Sequence, residues 1–290
     1  MDRTMPIPVL PTKRKVLMVD PEHFDVKYAI NPFMSDSAGK LNKIDKAKAR
    51  EQWAGLADAY RKLAYEVIVL NAQPELPDMV FAANQSLPFW MLGEIRPAVV
   101  MARMASPFRK AEVAFFSEWY AKNGYRIFLL PDDGITFEGN GDVLIQNSLP
   151  VIWAASGPRT TSSVWKHLEE ITGYQVNTLV LRHPEFYHLD TCFSVLTEDT
   201  VALYPGAFDD EDLRRIRRGF LNVIEIDYEE CSLMFAGNCH SPDGKNVIVQ
   251  PGAERFQAAL VQRGFNVVEV ETSEFMKSGG SVFCMKMMAY

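Results

Sequence analysis

The sequence predicts a single α/β domain of five ββαβ repeats, closed with pseudo-five-fold symmetry, and three observations lead to it. Short apolar, β-branched runs of buried-strand length recur along the 290 residues. Stretches with apolar residues at helical spacing lie between them, several closed by glycine. Each is followed by another apolar run, near residues 70, 130, 181, 226 and 270, so the order strand, strand, helix, strand returns five times. Repetition on this scale argues for one closed domain over 15–290 after a short tail over 1–14, rather than the two domains that length alone allows.

In chain order, Lys15-Val16-Leu17-Met18-Val19 reads as a buried strand ending at Asp20-Pro21. A loop with Asn31-Pro32 leads to a helix over 44–63, whose lysines form a solvated face, and then to a strand at 67–70. The second repeat has strands at 79–81 and 98–101, a helix over 108–123 and a strand at 126–130. The third has strands at 142–145 and 151–153, a helix near 160–171 and a strand at 178–181. The fourth has strands at 191–196 and 201–204, a helix over 209–218 and a strand at 223–226. Acidic residues open that helix and arginines close it, which complements its dipole and needs no ligand. The fifth has strands at 233–236 and 247–249, a helix over 252–263 and a strand at 267–270.

Composition narrows the function. Hydrophobic residues make up 48% and charged residues 23%, an ordinary globular balance. No apolar stretch reaches the roughly 20 residues of a membrane helix, and the first residues do not read as a leader, so a soluble, cytoplasmic protein is expected. Four cysteines, Cys192, Cys231, Cys239 and Cys284, do not make a disulfide framework and are expected to be reduced. A net charge of −7 disfavours non-specific binding to nucleic acid.

If the repeats surround one axis, the segments joining each last strand to the next first strand converge at one end, and there the polar residues lie. In Phe137-Glu138-Gly139-Asn140-Gly141-Asp142, strand periodicity puts Glu138, Asn140 and Asp142 on one face. The same argument groups His188, Asp190 and Cys192, an imidazole beside a carboxylate, as in a general base. Further polar islands are Asn31, Asp78 to Asn84, and Gly237-Asn238-Cys239-His240, while Arg103 is a lone cation near the acids. Near the chain's end, Gly279-Gly280 permits a close backbone approach ahead of Cys284, a nucleophile delivered from an apolar strand. A metal site built from His188, Asp190, Cys192, Cys239 and His240 competes with this reading, but no paired CxxC or HxxxH spacing supports it. A thiol, an imidazole and excess carboxylates suit a planar, cationic, hydrogen-bond-donating substrate, and a guanidinium fits.

These motifs resemble the guanidino-modifying pentein superfamily. The resemblance runs from Asp20-Pro21 and Asn31-Pro32 through 77–84, Phe137 to Asp142 and Phe186 to Phe193 to Gly279-Gly280 and Cys284. Within the superfamily it is nearest to the arginine dihydrolase and dimethylarginine-hydrolase-like branch. The resemblance implies a five-bladed αβ propeller in which Cys284 attacks the guanidinium carbon and forms a covalent amidino-thioether. His188 would protonate the departing amine and then activate water, with Glu138 and Asp190 holding the guanidinium nitrogens. Asn84 and Asn31 would contact the substrate head and Arg103 would pair with an α-carboxylate, and Asp78, Asp142 and Asn238 would line the site. It implies no metal and no organic cofactor, and leaves a homo-oligomer open. Asn84 stands where deiminases and dimethylarginine hydrolases carry a carboxylate, which favours a dihydrolase outcome, ornithine rather than citrulline. Citrulline formation from arginine or dimethylarginine and amidino transfer are the enzymatic alternatives. A non-enzymatic, ribosome-binding role is disfavoured by Cys284, His188 and Glu138 occurring together. The segment after the nucleophile, Met285-Lys286-Met287-Met288, departs from the family's pattern, in which a Thr commonly follows by two.

Overall fold

The computed structural model describes residues 8–290; residues 1–7 of the expected tail lie outside the described residues. The rest of that segment is extended, with Leu10 buried and its amide donating to the Ser148 carbonyl at 2.7 Å.

The first repeat runs β1 (Lys15–Val19), α1 (Lys46–Lys62), β2 (Glu66–Leu70). The second runs β3 (Ser86–Met91), β4 (Arg96–Met101), α2 (Glu112–Lys122), β5 (Arg126–Phe128). The third runs β6 (Val143–Ile145), β7 (Val151–Ser156), α3 (Val164–Thr172), β8 (Gln175–Val180). The fourth runs β9 (Phe193–Val195), β10 (Thr200–Leu203), α4 (Asp210–Gly219), β11 (Asn222–Glu225). The last segment holds α5 (Tyr228–Leu233), β12 (Asn246–Val249), α6 (Glu254–Gln262), β13 (Asn266–Glu269), α7 (Ser273–Met276) and β14 (Met287–Ala289).

Among the described residues these strands form five separate small sheets. In each, two strands joined through a helix pair in parallel, β1 with β2, β4 with β5, β7 with β8, β10 with β11, and β12 with β13. A helical crossover is what parallel pairing requires, and it covers one face of each sheet. An antiparallel strand flanks the pair in four sheets, β3 on β4, β6 on β7, β9 on β10, and β14 on β1. The first sheet therefore takes its flanking strand from the far end of the chain, with Lys15 opposite Ala289. The fifth keeps only an isolated bridge between His240 and Ile248 in place of that strand.

Two expected strands are corrected. Residues 79–81 belong to a 3-10 turn, Pro77–Val80, and its exit. Pro77 cannot donate to a ladder and starts a helical turn readily, so Met79 and Val80 are buried without pairing. Residues 233–236 end α5 and enter another 3-10 turn, Ala236–Asn238; the Asp227 side chain accepts from the Glu230 amide at 3.0 Å and starts the helix instead. The charge polarity of α4 holds, since Asp209 caps it through the Glu211 and Asp212 amides and Arg217 and Arg218 end it.

The core lies between sheets and helices. Val16 and Met18 pack with Leu56 and Tyr60 of α1, and Trp153 packs beside Phe193 and Phe220 at ring separations of 6.0 and 5.1 Å. No described helix is long and apolar enough to cross a membrane. All four cysteines are free and buried.

Candidate active site

The polar islands occupy equivalent places in successive repeats. A 3-10 turn stands ahead of β3, of β6 (Gly139–Gly141) and of β9 (Leu189–Thr191); Ala236–Asn238 lies ahead of β12, and the irregular segment 279–285 ahead of β14. A ring of hydrogen bonds ties the five together. The Ala83 amide donates to the Cys284 carbonyl at 3.1 Å, and the Asn140 amide to the Ala83 carbonyl at 2.9 Å. The Leu189 amide donates to the Asp142 carboxylate at 3.1 Å, and the Asn238 side-chain amide to the Asp190 carbonyl at 2.8 Å. The Phe283 amide donates to the Asn238 carbonyl at 3.0 Å, which returns to the nucleophile segment.

Cys284 sits in a turn before β14 rather than in a strand. Its thiol donates to Asp190 Oδ2 at 3.2 Å and accepts from Asn238 Nδ2 at 3.2 Å. The Asn238 Oδ1 receives the amides of Ser281 and Cys284 at 3.1 and 3.2 Å, so this one side chain fixes the turn and the sulfur together. Gly280 allows the approach expected of the glycine pair, because a Cβ there would lie 2.3 Å from the Phe81 ring and 3.1 Å from the Cys284 Cβ. Gly279, at φ +90°, turns the chain against Asn31, whose Nδ2 donates to the Ser278 carbonyl at 3.0 Å.

The alternation drawn for 138–142 and 188–192 fails locally, because both segments turn as 3-10 helices and Gly139 takes φ +54°. Any Cβ at Gly139 would lie 2.4 Å from the Ser86 carbonyl oxygen. The turns nevertheless bring Glu138, Asp142, His188 and Asp190 together. His188 Nε2 is 2.8 Å from Glu138 Oε2 and 3.9 Å from Asp142 Oδ2. Cys192 is turned away, its thiol donating to the Leu189 carbonyl, and Asn140 spends its side-chain amide on the Val143 carbonyl.

Glu138 is fully enclosed. It receives the Ala105 amide on Oε1 and the Arg159 guanidinium on Oε2, both at 3.0 Å, besides His188. Burial alone would raise its pKa, but the His188 hydrogen bond and charge, with Arg159 and Arg109, hold it down to about 2. Both oxygens are so engaged, and Oε2 is the one that meets His188. Asp142 is pushed by burial to about 6, against a 2.6 Å hydrogen bond donated by Thr160. Burial pushes Asp190 to about 7, opposed by the Cys284 hydrogen bond and by Lys286. The Cys284 thiol is raised by burial and then by Asp190. The apo pair therefore retains a proton at neutral pH, and a cation is what would release it.

Asn84 Oδ1 accepts from Arg109 at 2.8 Å. Arg109 is itself buried, in an ion pair with Glu112 at 2.8 Å, and donates to the Asp78 and Phe81 carbonyls. Asp78 takes a hydrogen bond from Ser278 at 3.3 Å. Asp78 Oδ2, Asn84 Nδ2, His188 Nδ1 and Asp190 Oδ1 are buried without a partner among the described residues. Each such atom costs about 1–3 kcal/mol unless a ligand satisfies it, and the two carboxylate oxygens call for a donor. Arg103 is not drawn into this cluster. It bonds Asp132 and the Leu130 carbonyl, with about a third of its side chain exposed (31%).

The sequence matches the family described as "N,N dimethylarginine dimethylhydrolase, eukaryotic" over residues 20–289. The chain belongs to that family. It is 34% identical over 94% of its length to N(G),N(G)-dimethylarginine dimethylaminohydrolase of Mycobacterium tuberculosis, covering 85% of that protein. It is also 35% identical over 93% of its length to the bifunctional arginine dihydrolase/ornithine cyclodeaminase AgrE of Nostoc sp., of which it spans only 37%. Among solved structures, it superposes with a TM-score of 0.86 and 31% identity on the N-terminal domain of the cyanobacterial arginine dihydrolase ArgZ, a cysteine-to-serine mutant bound to substrate. That match covers 94% of this chain and 97% of the other.

Within this family member, sequence reasoning missed Arg109, Glu112, Arg159 and Tyr187. Arg159 donates to Glu138 and to the Ile30 carbonyl and lies 5.2 Å from the Tyr187 ring centroid. The Tyr187 hydroxyl donates to the Gly279 carbonyl at 2.6 Å. A signal was present for Arg159, since Gly157-Pro158-Arg159 leaves β7 where Arg103 leaves β4 in the preceding repeat. Arg109 and Glu112 stand three residues apart near the start of the expected helix over 108–123, a spacing common on exposed helix faces.

Proposed function

We propose that the chain hydrolyses the guanidinium group of arginine by thiol catalysis at Cys284, yielding ornithine, ammonia and carbon dioxide. The observation that carries this reading is the buried Cys284–Asp190 pair, 3.2 Å apart, beside the His188–Glu138 pair at 2.8 Å. A guanidinium donates to Asp190 Oδ1 and Asp78 Oδ2, and its charge lowers the pKa values of Asp190 and Cys284 together. The thiolate attacks the central carbon and a C–S bond forms. The C–N bond to the departing amine breaks, and His188 supplies that amine's proton. With one terminal nitrogen departing in this way as the first ammonia, water attacks the amidino-thioether carbon and His188 takes its proton. The other terminal nitrogen departs as the second ammonia to leave a thiocarbamate. A second water attacks that carbon, the C–S bond breaks to restore the thiolate, and the released carbamate of ornithine loses carbon dioxide. Two waters per arginine balance ornithine, two ammonia molecules and one carbon dioxide.

Asn84 supports the dihydrolase outcome. Its Nδ2 is an unpartnered donor where a carboxylate would instead add charge, and an asparagine-to-serine mutant of ArgZ is covalently bound to a reaction intermediate. Arg103 holds the α-carboxylate in this reading. An exposed pair such as Arg103–Asp132 contributes about 0–1 kcal/mol, so exchanging Asp132 for a ligand carboxylate costs little. Five sheets in chain order, the ring of hydrogen bonds through their leading turns, and β14 on β1 support a single domain closed as a five-bladed propeller.

The test is to incubate the purified protein with arginine and with dimethylarginine and to measure ornithine, citrulline, ammonia and dimethylamine. Ornithine with ammonia from arginine is expected, and Cys284→Ser should lose activity by at least about a thousandfold. Citrulline with dimethylamine from dimethylarginine would replace the dihydrolase reading with the activity in the family's description. No product from either substrate would overturn both.

A further inference from the structure

Three of the segments that carry candidate catalytic residues also reach a different chamber. Asn140, His240 and Lys286 follow Glu138, Asn238 and Cys284 by two positions, and all three line a cavity of about 250 Å³. Lys13, Ser241 and Phe283 line it too, whereas Cys284, His188, Glu138 and Asp190 do not.

The charge in this cavity is unbalanced. Lys286 is only 2% exposed, and its ammonium lies 3.1 Å from the Phe283 ring centroid. Among the described residues it has no ion pair within 4.0 Å and no side-chain hydrogen bond. Lys13 donates to the Pro88 carbonyl at 3.0 Å and likewise has no ion pair. His240 bonds the Tyr60 hydroxyl through Nδ1 at 2.8 Å, and the Ser241 hydroxyl is buried without a partner. Two carboxylates, Glu198 and Asp243, also line the cavity, but neither forms an ion pair with a lysine; Asp243 receives the Lys245 and Asn246 amides of its own turn. Burial lowers the pKa of Lys286, and Lys13 lowers it further. Burial brings Lys13 to about 8 and, with both lysines, lowers His240. Asp190 and Cys284, on the other side of Lys286, offset part of this, but no carboxylate lining the cavity pairs with its ammonium, and an unpaired buried ammonium is costly.

We propose that this cavity is a binding site for a small oxyanion, phosphate or carboxylate, held by the Lys286 and Lys13 ammonium groups with the Ser241 hydroxyl donating. It borders the candidate catalytic site, since Lys286 also feels the charges of Asp190 and Cys284. Its ligand-holding groups are other than the catalytic four, and its test reads binding rather than turnover.

The test uses the full chain in thermal unfolding, at constant ionic strength, with inorganic phosphate and with succinate as separate probes. A ligand bound only by the folded state raises Tm with the logarithm of its concentration above its dissociation constant, by several degrees at about a hundred times that constant. At least one probe should do so, and Lys286→Met should abolish the rise. Lys13→Gln, at a half-buried position, should weaken the apparent affinity several-fold and decides the matter if Lys286→Met does not fold. A response to phosphate alone or to succinate alone identifies the oxyanion class. No rise with either probe, or the same rise in the variants, overturns the site.

Discussion

In the proposed reaction Glu138 works through its neighbours: its carboxylate is held ionised beside His188. Its folded-state value, about 2, lies below the ordinary 4.5. The stabilisation it gives is therefore present above 4.5 and lost as pH falls through about 2. Glu138→Gln keeps the shape and removes the charge. Turnover of arginine should fall by about 10²–10⁴-fold with little change in KM, because His188 loses the partner that orients and charges it. Steady-state kinetics across pH would check this, and full turnover in the variant would exclude the role. At this scale the sequence was informative about groups that react and silent about groups that brace them. Cys284, His188, Glu138 and Asp190 carry chemistry that their types announce. Arg109 and Arg159 are buried, at 3% and 6% exposure, and arginine is a residue whose type announces a surface. Only the fold reveals that Glu112 and Glu138 wait for them inside.

The turns are the elements that matter most for function, and they were the least legible. Periodicity found the β/α units because parallel strands buried on both faces read as continuous apolar runs. It misread 79–81, 138–142 and 188–192 as strands because a 3-10 turn packed in a polar core can carry the same alternating residues. Only Gly139 and Pro77 hinted otherwise, through a left-handed φ and a missing donor. Gly280→Ala tests how tightly the nucleophile's turn is made. The added methyl meets the Phe81 ring and the Cys284 Cβ, so the turn must shift. Overpacking of this kind costs about 1–3 kcal/mol. Turnover should drop by more than tenfold while the protein still folds, as circular dichroism and haloacetamidine labelling of Cys284 would record. Unchanged activity would mean that the glycine is not needed for the close approach.

Across the whole molecule, the site is a store of destabilisation. The folded-state pKa of Asp190, about 7, lies above the ordinary 3.8. Its protonated form favours the fold, so that stability is fully present below 3.8 and lost as pH rises through about 7. Glu112, raised by burial to about 7, adds to the same trend. Asp190→Asn should therefore be inactive yet more stable than the parent, by several degrees of Tm near pH 8 and by progressively less toward pH 4. A variant less stable at both pH values would refute the assignment of Asp190 as a buried, reluctantly ionised group.

The strand pairing of residue 15 with residue 289 also sets an order of events. The antiparallel neighbour of β1 is made some 270 residues after it. Contacts so distant in sequence form slowly, since the chain must close the whole loop before any of its bonds repay the entropy lost. Cys284 lies immediately before that last strand, so its thiol meets Asp190 and Asn238 only when the circuit is complete. A chain that lacks β14 thus leaves the turn of Cys284 without its anchor on β1.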